Sequence, residues 1–361
     1  MRIGIPRALY FYSYLPFWHT FWTKLGHKVI VSPLTNKGIL DHGVKEASTD
    51  LCVPVKVLHG HIAYLAAKDK VDAIFLPRMV NVGTKATFCP KFLGLPEMVS
   101  SAFCQLPPLI VPRGDLGNPW RLFDLCHKLQ RQWAPEGSVW LAYRAARSAQ
   151  NRFQREIEQG RLPMDCLHNY TEDVPNHDRR AIIPSGGALR VAVLGYPYAV
   201  YDSFLNGNSL KKLHKMGVSV YTADMVPLGE QKRYRRHKDL FWHYSNVVLQ
   251  AGQVLLDSTL KIDGVINISN FACGPDAMVG KLLEFECKKR AKPMITLTLD
   301  EQTGEGGINT RIEAFVDMLA RRKDGAHNLS LHGQFSTGFQ TVVCRTRPRG
   351  DCPTASQQAH S

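Results

Sequence analysis

Apolar residues recur along this chain as short, nearly unbroken runs, each followed by a longer stretch with helical spacing. A short continuous apolar run is the signature of a strand buried on both faces. Its alternation with helical stretches predicts βαβ units and parallel sheets. The first unit opens at Arg2-Ile3-Gly4-Ile5-Pro6 and runs into an aromatic segment from Tyr10 to Trp22. Leu25-Gly26-His27-Lys28-Val29-Ile30-Val31 then reads as a helix end with a glycine cap, followed by a strand.

The same order returns in the second half. Arg190-Val191-Ala192-Val193-Leu194-Gly195 is a strand, a helical stretch passes through Leu210 and Leu213, and Val218-Ser219-Val220-Tyr221 follows Gly217. Lys70-Val71-Asp72-Ala73-Ile74-Phe75 likewise matches Lys261-Ile262-Asp263-Gly264-Val265-Ile266 in pattern and spacing. Two Rossmann-like or flavodoxin-like α/β half-domains with parallel sheets follow from this repeat. We expect the first over residues 1–135, a helical segment and linker over 136–187, and the second over 188–325. Residues 326–361 lose the apolar period and read as a disordered tail.

Composition narrows the class of protein. Of the 361 residues 44% are hydrophobic and 21% charged, enough apolar material for two cores. No stretch approaches the roughly 18 apolar residues of a membrane span, and the N-terminal residues read as a strand rather than a signal segment. A cytoplasmic protein without a membrane partner is expected. Nine cysteines there are not a disulfide framework. The formal charge of +14 suits an anionic partner, and its densest run is Lys232-Arg233-Tyr234-Arg235-Arg236-His237-Lys238. That run reads first as a solvated loop, since such runs often only aid solubility.

Three cysteines stand where open parallel sheets gather function, in loops between a strand and the next helix. Cys52 precedes Pro54, Cys89 precedes Pro90, and Cys273 precedes Gly274-Pro275. Proline suits the first turn of a helix, so each cysteine is placed at a helix N-terminus, where the helix dipole favours thiolate. Cys89 and Cys273 follow repeat-equivalent strands, so one crevice is within reach of both. Cys104, Cys126, Cys166, Cys287, Cys344 and Cys352 have no such setting and are expected to be inert. His59 and His61 lie beside Cys52 and read either as proton carriers or as capping and packing residues. Lys56 reads as an anchor for an anionic group or as part of a helix surface. Thr303-Gly304-Glu305-Gly306-Gly307-Ile308 reads as a loop before a helix capped at Thr310-x-x-Glu313.

The chain resembles the acyl-CoA dehydratase activase-related family, which is akin to the cluster-bearing subunits of 2-hydroxyacyl-CoA dehydratases and benzoyl-CoA reductases. The resemblance is carried by Gly4-Ile5-Pro6-Arg7-Ala8-Leu9, Pro16-Phe17-Trp18, Cys52-Val53-Pro54-Val55-Lys56 with His59-Gly60-His61, Phe75-Leu76-Pro77 and Cys89-Pro90. In the second half Cys273-Gly274-Pro275-Asp276, Asp300-Glu301 and Thr310-Arg311-Ile312-Glu313-Ala314-Phe315 continue it in order. It implies a [4Fe–4S] cluster between the half-domains, held by Cys52, Cys89 and Cys273 with one iron left open. It also implies electron transfer from an ATP-hydrolysing activase, a CoA-thioester-type ligand, and allows a homodimer. The family usually has histidine within Asp300-Glu301-Gln302-Thr303 and at Tyr196 of Gly195-Tyr196-Pro197, so no role of those histidines carries over. No G-x-x-x-x-G-K-[ST] phosphate loop is present, and the activase is expected to be a separate protein. Two rivals stay open: a non-catalytic electron relay or cluster carrier, and a basic nucleic-acid-binding module with structural cysteines, the less expected of the two.

Overall fold

The computed structural model describes residues 1–67, 70–82, 86–115, 117–171, 189–233 and 239–325. The linker expected before Gly187, most of the basic run with all of its side chains, and the tail with Cys344 and Cys352 lie outside them.

Two four-stranded parallel sheets form the frame. The first holds β1 (Arg2–Ile5), β2 (Lys28–Val31), β3 (Ala73–Phe75) and β5 (Leu109–Ile110) in the order β2-β1-β3-β5. The second holds β7 (Leu189–Gly195), β8 (Val218–Thr222), β9 (Gly264–Asn270) and β10 (Met294–Leu299) in the order β10-β9-β7-β8. A two-stranded parallel pair, β4 (Arg78–Asn81) with β6 (Arg113–Asp115), extends from the first. The mixed α/β class with parallel sheets is thus as the repeat predicts.

The central strands owe their place to sequence. All of β9 is buried, as is β7 apart from Arg190, because valine, isoleucine, leucine and alanine cover both faces. In register, Val191 lies opposite Gly264 and Val193 opposite Ile266. The aromatic segment is the helix Phe11–Lys24, which buries Phe17, Trp18, Phe21 and Trp22 against Phe75 of β3 and the helix Val139–Glu158. It ends where Gly26 takes a φ of 85°, a left-handed turn that only glycine enters without cost. Trp120 to Gln159 resolves into two helices, Pro119–Trp133 and Val139–Glu158, capped by the Asn118 and Ser138 side chains.

One expectation fails. Thr310 does not cap a helix: the helix Glu305–Gly325 starts five residues earlier, and the Thr310 hydroxyl donates to the Gly306 carbonyl at 3.1 Å. Two glycines in the first turn disguised it, since Gly306 and Gly307 lower helix propensity without preventing a packed helix from forming.

Buried polar contacts join the two sheets' regions. The Asp202 carboxylate is 3% exposed. Its Oδ2 accepts from the Tyr12 hydroxyl (3.0 Å) and the Thr35 hydroxyl (2.5 Å), while Oδ1 accepts from the amides of Phe204 and Leu205, both at 3.0 Å.

Candidate metal centre

Each sheet has a point where its strand order reverses. The chain runs from β1 out to β2 and returns to β3 on the other side of β1; it runs from β7 to β8 and returns to β9 in the same way. Ligands in open parallel sheets bind at such points, beyond the carboxyl ends of the strands. Here residues from both points line one cavity of about 300 Å³: Leu9 after β1, Tyr196 and Tyr198 after β7, Cys273 after β9, and Cys89 beyond β3 and β4. Cys52, which follows β2, completes the set.

Each of the three thiols is presented by a helix N-terminus. Cys52 caps the helix Val53–Ala66, Cys89 the short helix Pro90–Leu93, and Cys273 the helix Gly274–Lys289, every one with proline in the first turn. In each case the cysteine backbone is extended while its carbonyl accepts the first helical bonds, from Val55, Phe92 and Ala277 respectively. The turn into Cys273 is made by Ala272 at φ 60°, and Leu9, at φ 52°, makes the corresponding turn into the cavity from the first half. A left-handed non-glycine residue costs about 1 kcal/mol, and both stand in the cavity wall.

Burial pushes all three thiols above their ordinary pKa; negative charge adds to this at two of them, from Cys89 at Cys52 and from Asp276, Cys52 and Cys89 at Cys273. The Lys91 ammonium works against it at Cys52 and Cys89. Desolvation therefore outweighs the helix N-termini at all three thiols. Binding a metal would have to release protons. Among the described residues no three His, Cys, Asp or Glu side chains converge closely enough for a single ion. The three thiols line one cavity, and thiolate is the ligand class of iron–sulfur clusters.

The other residues expected near Cys52 face elsewhere. Lys56 is 4% exposed, and its ammonium pairs with Glu301 Oε1 at 2.9 Å, tying the Cys52 helix to the loop after β10. That pair holds the Glu301 carboxyl below its ordinary pKa, so its contribution to stability is present above the unfolded pKa and fades as pH falls through the folded one. His59 Nδ1 donates to the Val55 carbonyl (2.8 Å), and its ring stacks on Phe103. His61 Nε2 lies 3.0 Å from the Thr35 hydroxyl, and burial lowers its pKa to about 3. Since Thr35 gives its proton to Asp202, His61 donates to Thr35 as a neutral ring. None of the three is part of the cavity wall.

Aromatic residues that were not among the expected site residues supply much of that wall. Phe88, Phe92, Tyr196, Tyr198, Trp242, His243 and Tyr244 line it. Ring centroids are 5.3 Å apart for Phe88 and His243, 5.8 Å for Phe92 and Tyr198, and 5.7 Å for Tyr196 and Tyr244. Burial lowers the His243 pKa to about 4, so it is uncharged at neutral pH. Tyr196-Pro197-Tyr198 after β7 was a usable signal, whereas Trp242-His243-Tyr244 lies behind the basic run and gave none.

Residues 2–226 match the family described as CoA enzyme activase uncharacterised domain, and residues 256–319 match the family described as 2-hydroxyglutaryl-CoA dehydratase, D-component. No curated protein matches the chain. Two solved structures align over 88% of it: "Crystal structure of ZnuA", with 12% identity, 98% of that chain and a TM-score of 0.26, and "S. aureus MnaA-UDP co-structure", with 13% identity, 88% of that chain and a TM-score of 0.22. Scores this low carry no argument.

Proposed function

The chain belongs to the family of the CoA enzyme activase uncharacterised domain, and from that premise we propose that it is an iron–sulfur redox component of a CoA dehydratase and activase system. The observation that carries this reading is the convergence of Cys52, Cys89 and Cys273, from the ends of two sheets, on one apolar cavity. The half-domains at 1–135 and 188–325 each contribute to the site. Cys52 and Cys89 come from the first and Cys273 from the second. Three thiolates would hold three irons of a [4Fe–4S] cluster and leave the fourth open. When bound, such a cluster supplies a single low-potential electron and a Lewis-acidic iron.

The chain's own residues set the conditions for that chemistry. The aromatic wall excludes water and lowers the local dielectric, which strengthens every charge interaction inside. The Lys56–Glu301 pair and the Asp202 network hold the two thiol-bearing regions in one geometry. Electrons come from a separate ATP-hydrolysing activase, and the ligand is a CoA thioester whose acyl end enters the cavity. The relatives' names supply the CoA class.

The discriminating experiment is spectroscopic. The dithionite-reduced protein is expected to show an EPR signal whose line shape changes on adding lactoyl-CoA. The oxidised protein is expected to be reduced by an activase only with MgATP. A signal indifferent to any CoA thioester, yet still reducible by the activase, would instead favour the non-catalytic electron relay.

A further inference from the structure

A second cavity, of about 260 Å³, opens where the helix Ser209–Lys215 meets the first turns of the helix Glu305–Gly325. Its described wall is Asn208, Lys211, Lys212, Lys215, Glu305 and Asn309, none of which lines the thiol cavity. The two helices are held closely here. Gly207 and Asn208 both take a φ of 57°, and a Cβ at Gly207 would stand 2.8 Å from Ile308 Cδ1. The Asn206 side chain fixes the start of the shorter helix, its Oδ1 accepting from the Ser209 amide (3.1 Å) and its Nδ2 donating to the Val200 carbonyl (2.6 Å).

The wall carries three ammonium groups from one short helix, and like charges three and four residues apart repel. The protein meets only part of that charge. Lys212 pairs with Glu313, while Lys211 and Lys215 form no ion pair among the described residues. Glu305 also stands in the wall, where its Oε1 accepts from Asn208 Nδ2 at 3.3 Å. A concave surface focuses the field of such a cluster. A multiply charged anion bridging the lysines turns their repulsion into charge-assisted hydrogen bonds, and gains more against Glu305 than a single carboxylate does. Phosphate has that charge, and lysine binds it as a point charge without a fixed fork.

Both cavities draw on segments that leave the carboxyl ends of strands in the second sheet. Tyr196 and Tyr198 of the thiol cavity and Lys211 of this one lie between β7 and β8, and Glu305 follows β10 just beyond Glu301, the partner of Lys56. We propose that the lysine-lined cavity binds phosphate groups of the CoA ligand whose acyl end enters the thiol cavity. The proposal deepens the function proposed above, on which it rests for the identity of the ligand. The phosphate chemistry itself stands on Lys211, Lys212 and Lys215.

Coenzyme A and inorganic pyrophosphate are titrated into the full chain by calorimetry, with iron measured on the same samples. Two double variants remove equal charge: Lys211→Gln with Lys215→Gln, and Lys24→Gln with Lys45→Gln. All four lysines are exposed, and the second pair lies outside the cavity wall. The first variant is expected to weaken coenzyme A about tenfold or more, and the second to leave it within about twofold. Equal losses in both variants would mean diffuse surface charge and overturn the site, as would undiminished binding by the first. Coenzyme A is expected to bind at least about tenfold more tightly than pyrophosphate, because its other end is held as well. The reverse order would assign the lysines to a free phosphate and overturn the coenzyme. Iron-free protein with lysine-dependent coenzyme A binding would overturn the cluster and keep this site; iron-loaded protein whose coenzyme A affinity ignores Lys211 and Lys215 would do the reverse.

Discussion

Gly60→Ala is expected to destabilise the protein by about 3 kcal/mol or more, at the upper end of the range for overpacking. A Cβ at Gly60 would stand 1.9 Å from the Ile39 carbonyl oxygen, and one at Gly43 would stand 1.9 Å from the Lys56 carbonyl oxygen. The helices Lys37–Glu46 and Val53–Ala66 therefore touch backbone to backbone at two glycines. No side-chain rotation relieves a clash with a carbonyl, so the helices must move apart. The second of them carries Cys52 at its N-terminus. The urea midpoint of the variant measures the effect, and a midpoint equal to that of the unaltered protein would show that the contact has slack.

A loss of similar size, about 3 kcal/mol, is expected for Asp202→Ala. Its carboxylate satisfies two hydroxyls and two amides in a buried setting, and alanine orphans all four donors at once. The hydroxyls of Tyr12 and Thr35 belong to the first half and the amides of Phe204 and Leu205 to the second, so the lost bonds include those that cross between them. Asp202→Asn should cost clearly less. Its carbonyl oxygen still accepts both amides, and the Tyr12 hydroxyl can turn to accept from the new NH₂ group. Urea midpoints in the order unaltered, Asn, Ala test this; an alanine variant as stable as the asparagine one would contradict it.

Fold and site were legible to different depths. The strands stood out because buried parallel strands are written as unbroken apolar runs, and the internal repeat matched β1, β2 and β3 with β7, β8 and β9. Cys52, Cys89 and Cys273 could be placed at helix starts because proline in a first turn is a local signal, and all three are N-caps. Their thiolate character was misjudged, since the helix dipole is visible in sequence and burial is not. Lys56 reads in the sequence as an anion anchor or a surface residue for a related reason. Its partner, Glu301, is 245 residues away, and only the packing of the two halves brings them together. The aromatic wall was missed because Phe88, Tyr196 and Trp242 come from three distant segments that only the fold brings together.

The most direct measurement is iron and acid-labile sulfide per chain after anaerobic purification, with visible and EPR spectra, for the unaltered protein and for Cys52→Ala, Cys89→Ala and Cys273→Ala. About four irons per chain are expected, as a cubane cluster requires, with the cluster lost in each variant and retained in a Cys104→Ala control. A protein that stays iron-free after reconstitution, or whose iron is indifferent to all three substitutions, would contradict a cluster held by these cysteines.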